Sequence, residues 1–257
     1  MKNVTQPREQ NSRLAYPDSL LTKRARWLRH ALVLLLVLFI SPVFSAHVLL
    51  VDDDDNAPDV RPVYTTVLNA LGVSYDVWDT SNSANEPDVV KLSQYDTVIW
   101  FNNDSIGSVA GSGPTGEAVL ASYLDNSSCL FISSEEYHGS RGLTGFMTSY
   151  LSMASMIDDV IQTMVQGYED GRFTGLGPYT LSCPVINWSH VITPDGTAVR
   201  ALNGNNRDAA VYKIAGSGQY RTTFRGYPLE AISTGQDLPP GSDRMTFVHG
   251  ANNKGHA

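Results

Sequence analysis

Cysteine is almost missing from this chain: two residues in 257. So few thiols cannot build a disulfide framework. Basic residues are also scarce, 18 Lys and Arg against 26 Asp and Glu, which gives a formal charge of -8 and a pI near 5.1. A chain of that sign lacks the electrostatic footprint of a nucleic-acid binder, so no nucleic-acid partner is expected. No apolar run exceeds the ten residues Ala31 to Ile40, too few to span ~30 Å of hydrocarbon comfortably. None of the six histidines stands in an H-E-x-x-H spacing, and the loop Gly107 to Gly116 has no lysine. Zinc-hydrolase and phosphate-loop readings therefore find no support.

What is present is unevenly spread. Residues 1–45 carry seven basic and two acidic residues, leaving 11 basic and 24 acidic for the rest. A basic stretch around Lys23, Arg24, Arg26 and Arg29 leads into the apolar run, and Ser41-Pro42-Val43-Phe44-Ser45-Ala46 follows with a breaker and small residues. This is the layout of a secretory signal. It predicts export, secreted or at the cell surface, with cleavage after Ser45 or an uncleaved membrane anchor over residues 27–44. Export permits a Cys129–Cys183 disulfide and makes the triplets beginning at Asn126 and Asn187 glycan acceptors where the host glycosylates.

The chain is 42% hydrophobic over its 257 residues, enough for one sizeable core. Short apolar runs alternate with amphipathic stretches, the pattern of an α/β sheet. Val48–Val51, Thr97–Phe101 and Cys129–Ile132 read as strands buried on both faces, and Ser74–Asp79 as a half-buried edge strand. Helices are expected over Asp59–Leu71, Glu117–Leu124 and Arg141–Leu151, with a helical turn over Val89–Leu92. Beyond about Ile157, β-branched and aromatic runs separated by Gly, Pro and Asn read as a strand-rich insertion near 157–218. Tyr220–Ala231 reads as a last core strand and turn. The predicted organisation is a leader over 1–45, one domain over 46–233 and a loose tail over 234–257.

In an open parallel sheet, ligands bind beyond the carboxyl ends of the strands, where strand order reverses. Three polar tips fall there: Asp52-Asp53-Asp54-Asp55-Asn56, Asn102-Asn103-Asp104-Ser105, and Ser133-Ser134-Glu135-Glu136-Tyr137-His138. Four successive aspartates repel one another unless offset. A calcium or magnesium ion bound by Asp52 and Asp53, with Asn102, Asp104 or Glu135 completing the shell, would offset them. The competing account makes Asp52 or Asp53 a cap for the following helix and leaves Asp54 and Asp55 in water. A phosphorylated receiver pocket is excluded, because Asn102 follows the strand where the acceptor aspartate belongs. Ser133 or Ser134 is a candidate nucleophile, with His138 as base and Glu135 or Glu136 as orienter. Against it, no glycine sharpens the turn, and His138 is only four or five residues away.

The strings VLLVDDDDN, LGVSYDVWDT, YDTVIWF, LASYLDNSSCLFISSEEY and GLGPYTLS together resemble an exported bacterial domain of flavodoxin-like fold, related to the class I glutamine amidotransferases. Such domains occur beside secreted peptidase modules and surface repeats. The resemblance covers His47 to Ala231. It implies a three-layer, doubly wound, mostly parallel sheet, with Ser133 about where the amidotransferase nucleophile stands. The later strand is followed by Glu230 without its histidine, so the resemblance does not carry glutamine hydrolysis. The function expected is a non-catalytic accessory or binding domain of a surface or secreted protein, with other such modules as partners and a cation at the aspartates. The alternative is a secreted serine hydrolase.

Overall fold

The computed structural model describes residues 47–54, 58–81, 83, 85–102, 111–169, 173–205, 207–216 and 219–232. The chain divides into two units, 1–44 and 45–257, and all the described residues belong to the second. The leader and tail expected from sequence lie outside the described residues, as does the candidate ligand Asp104.

The elements run β1 (His47–Asp52), α1 (Arg61–Ala70), β2 (Ser74–Asp79), α2 (Val89–Leu92), β3 (Thr97–Phe101), α3 (Pro114–Leu124), β4 (Cys129–Ser133), α4 (Tyr137–Arg141), α5 (Gly145–Ser149) and β5 (Met153–Ile157). They continue with β6 (Met164–Gly167), β7 (Tyr179–Thr180), β8 (Val191–Pro194), β9 (Val199–Gly204), β10 (Arg207–Ile214), β11 (Arg221–Arg225) and a 3-10 turn, Leu229–Ala231. Nine strands form one sheet in the order β2-β1-β3-β4-β11-β10-β9-β6-β7, and β5 pairs with β8 in a separate ribbon.

The sheet is mixed. From β2 to β11 neighbouring strands are parallel; from β11 to β7 they are antiparallel. The parallel strands β1, β3 and β4 bury nearly every residue, as strands packed on both faces must. Side chains alternate between the two cores. Val48, Leu50, Ile99 and Phe101 meet Tyr64 and Leu68 of α1 on one face. Leu49, Val51, Val98 and Trp100 meet Leu120, Tyr123 and Leu124 of α3 on the other.

This corrects the expected architecture. The three-layer, flavodoxin-like, doubly wound sheet does not form, and 157–218 is no insertion: it supplies β6, β7, β9 and β10, four of the nine strands of the main sheet. The reason lies in its turns. The β9 and β10 runs are separated by two residues, too few for a crossover, so they pair as a hairpin and extend the sheet antiparallel. Helices are correspondingly few. Five are found among the described residues, and three of them have only four or five residues.

Candidate functional site

Backbone pairing continues past the strand ends and draws the polar tips into the sheet. Asp53 N donates to Phe101 O, Asn102 N to Ser133 O, and Ser134 N to Arg225 O. Asp52, Asp53, Asp54, Asn102, Ser133, Ser134 and Glu135 are consequently all buried. The chain leaves β1 for β2 on one side and returns to β3 on the other, so the reversal of strand order falls between the Asp52 and Asn102 tips.

Alternation splits the aspartates. Asp53 turns to the α3 face, where its two oxygens accept from Thr80 Oγ1 at 3.0 Å and Trp100 Nε1 at 3.0 Å. Asp52 and Asp54 stay together, and carboxylate oxygens of Asp52, Asp54 and Asp59 lie within 4.8 Å of one another. Asp54 Oδ2 accepts from Val60 N at 2.6 Å, at the approach to α1. The cap expected of Asp52 or Asp53 does not form: the N-cap position is Val60, Asp59 Oδ1 accepts from Arg61 N at 3.1 Å, and Asp54 is buried rather than in water. Arg61 lies among these acids, with Nε 3.1 Å from Asp52 Oδ2, Nη1 3.2 Å from Asp79 Oδ2 and Nη2 4.0 Å from Asp59 Oδ2. Burial, then the negative charge of Asp54, push the Asp52 carboxyl up to about 7 against the opposing pull of Arg61.

The ligand set expected from sequence is thus only partly assembled. Asp52 is present, Asp53 belongs to the other face, and Glu135 instead accepts from Cys183 Sγ at 3.7 Å. Asn102 has no exposed surface, and neither polar atom of its amide has a hydrogen bond among the described residues. Asp59 was hidden in sequence because it lies seven residues from Asp52; the clue was its place just before the helix.

The serines are structural. Ser133 Oγ accepts from Leu229 N at 2.9 Å and donates to Tyr227 O at 3.4 Å. Ser134 Oγ accepts from Tyr137 N at 2.8 Å, tying down the first turn of α4. His138 turns its Nδ1 to Asp158 Oδ1 at 2.8 Å, and no serine–histidine bond forms among the described residues. The two cysteines are not bridged; burial, with the Glu135 charge, pushes the Cys183 thiol up.

Two further buried groups do not stand among the site candidates of the sequence. Glu230 accepts from Tyr64 Oη at 2.9 Å, and burial pushes its carboxyl up to about 7. His190 Nε2 donates to the Glu135 carbonyl, and its Nδ1 accepts from Asp159 N at 3.4 Å. Asp158 Oδ1, 3.4 Å from the same Nδ1, favours the charged ring, but burial outweighs it and lowers the imidazole to about 4. Only Glu230 left a trace, as an acid shortly after the last core strand.

No protein-family model and no curated protein matches the chain. Several solved structures are similar in fold, among them two from Salmonella typhimurium. Cytoplasmic Protein STM3548 from Salmonella typhimurium is 13% identical with a TM-score of 0.56, over 79% of this chain and 97% of that one. Cytoplasmic Protein STM1381 from Salmonella typhimurium LT2 is 9% identical with a TM-score of 0.53, over 80% and 99%. At such identities the likeness is one of fold. Both neighbours are described as cytoplasmic, which stands against the expectation of export; the anchor expected over 27–44 lies outside the described residues. Among the described residues no helix is long and apolar enough to cross a membrane.

Proposed function

We propose that this chain is a non-catalytic binding domain whose ligand at the strand-order reversal is a hard divalent cation, calcium or magnesium, held by Asp52, Asp54 and Asp59. The observation that supports it is the convergence of these three carboxylates within 4.8 Å, two of them buried. Carboxylates packed together away from water must share protons or a cation, and an oxygen-only donor set suits calcium and magnesium. Three side chains leave most of the shell to water, and Asp59, the exposed member of the trio, keeps the site open to it. The hydrolase alternative loses its support, since both serine hydroxyls are occupied by backbone groups.

The test is a thermal melt of the full chain in chelator, then with calcium or magnesium restored. At a hundredfold excess over the dissociation constant, cation binding stabilises by about 2.7 kcal/mol, which raises Tm by roughly 5–10 °C for a domain of this size. Asp52→Asn and Asp54→Asn should abolish the rise. A rise that survives both variants, or none in the wild type, rejects the reading.

A further inference from the structure

Arg61 opens α1 at the end of the helix where the backbone dipole disfavours positive charge, and no acidic residue follows in the first turn. Local helix chemistry therefore gives no reason for a cation there. What holds it is the carboxylates: Asp52 at 3.1 Å, Asp79 at 3.2 Å and Asp59 at 4.0 Å. Two of these, Asp52 and Asp59, belong to the trio whose oxygens converge as a cation site. A guanidinium and a divalent ion would compete for the same Asp52 Oδ2. Asp52 is buried, whereas Arg61 and Asp79 are each about one-third exposed in their side chains, 31% and 36%. Arg61 can thus leave the buried carboxylate and keep its outer partner. Within the site itself, Asp52 Oδ2 is buried and has no hydrogen bond among the described residues, although Arg61 Nε stands 3.1 Å away: a buried oxygen left for a ligand to satisfy.

We propose that Arg61 is the tethered counter-ion of this site, occupying the carboxylates until a divalent cation displaces it from Asp52 toward Asp79 and solvent. The proposal rests on the cation reading above and adds its regulation. The guanidinium keeps the acids neutralised when cation is scarce, and it weakens the apparent affinity by the fraction of molecules in which it holds Asp52. The site would then fill only when cation is abundant, and filling would free the α1 terminus from the β1 tip.

Calorimetric titration of the full chain with calcium and with magnesium tests this, comparing wild type with Arg61→Gln and Arg61→Lys. Arg61→Gln should bind at least tenfold more tightly. Arg61→Lys should fall between, because an ammonium cannot bridge Asp52 and Asp79 as the planar fork does. Equal or weaker binding by Arg61→Gln, with measurable binding by the wild type, overturns the counter-ion role and leaves the cation site standing. No binding by any of the three overturns both. Should Arg61→Gln fail to fold, Arg61→Lys decides alone: tighter than wild type supports displacement, and equal or weaker rejects it.

Discussion

At the scale of single residues, burial separates groups that look alike in sequence. Asp52, Asp53 and Asp54 are consecutive, yet Asp53 is bound by Thr80 and Trp100 while its neighbours face the opposite core. Ser133 and Ser134 are likewise divided between a loop amide and a helix start. Removing Ser133 Oγ leaves Leu229 N without its acceptor in a buried place. Ser133→Ala should therefore cost about 1–3 kcal/mol in denaturant unfolding, and Ser134→Ala about 1 kcal/mol as a lost buried hydrogen bond to the first turn of α4. Loss of cation binding without loss of stability in either variant would contradict this structural assignment. Asn102 runs the other way. Its amide is buried without a partner, so Asn102→Leu in cation-free buffer should stabilise by about 1–3 kcal/mol. A destabilised variant would mean that the amide is already satisfied.

At the scale of elements, His190 joins parts of the sheet that sequence keeps far apart. Its ring donates to Glu135 past β4 and its backbone N to Gly226 past β11, at the start of β8. Glu230, in the 3-10 turn, bonds Tyr64 on α1. Their ionisations pull stability in opposite directions. His190 falls to about 4 from an ordinary 6.5, so the unfolded chain binds its proton first and stability is lost as pH falls from about 6.5 to 4. Glu230 rises to about 7 from 4.5, so the folded chain keeps its proton longer and stability is lost as pH rises from about 4.5 to 7. Each change is on the order of 3 kcal/mol. The two largely cancel between pH 4.5 and 6.5, leaving a decline with rising pH set by Asp52, whose carboxyl burial also raises to about 7. Glu230→Gln should therefore flatten that decline, and His190→Gln steepen it. Urea unfolding at several pH values reads both slopes, and unchanged slopes would reject the buried states assigned here.

Legibility from sequence divides along the same line as locality. The parallel strands and α1 were legible because their apolar periodicity is local: Thr97–Phe101 and Ser74–Asp79 were placed with the bounds the structure shows. The helix expected over Arg141–Leu151 shrinks to Gly145–Ser149, because Gly142 at φ 67° ends α4 and Met153–Ile157 pairs as β5. The site was half legible. Strand-end position pointed to Asp52 and Asn102, but face alternation and the path to α1 decide that Asp54 and Asp59, not Asp53, accompany Asp52.

At the scale of the whole molecule, a parallel half carrying the polar tips is continued by an antiparallel half that covers β11 and completes one sheet. Texture revealed the strands of 157–218 but not their pairing, since long-range register is set by burial that a linear pattern does not record. The second half therefore serves the site indirectly, by holding Arg225, Tyr227 and Glu230 at the end of β11 beside the β4 tip. The central claim is that a divalent cation sits where the β1 tip meets α1. Crystals of the full chain grown with manganese, an oxygen-preferring ion with usable anomalous scattering, test it most directly. The account predicts an anomalous peak among the carboxylates of Asp52, Asp54 and Asp59, with the Arg61 guanidinium moved off Asp52. Crystals showing no peak there, with Arg61 still paired to Asp52, would contradict it.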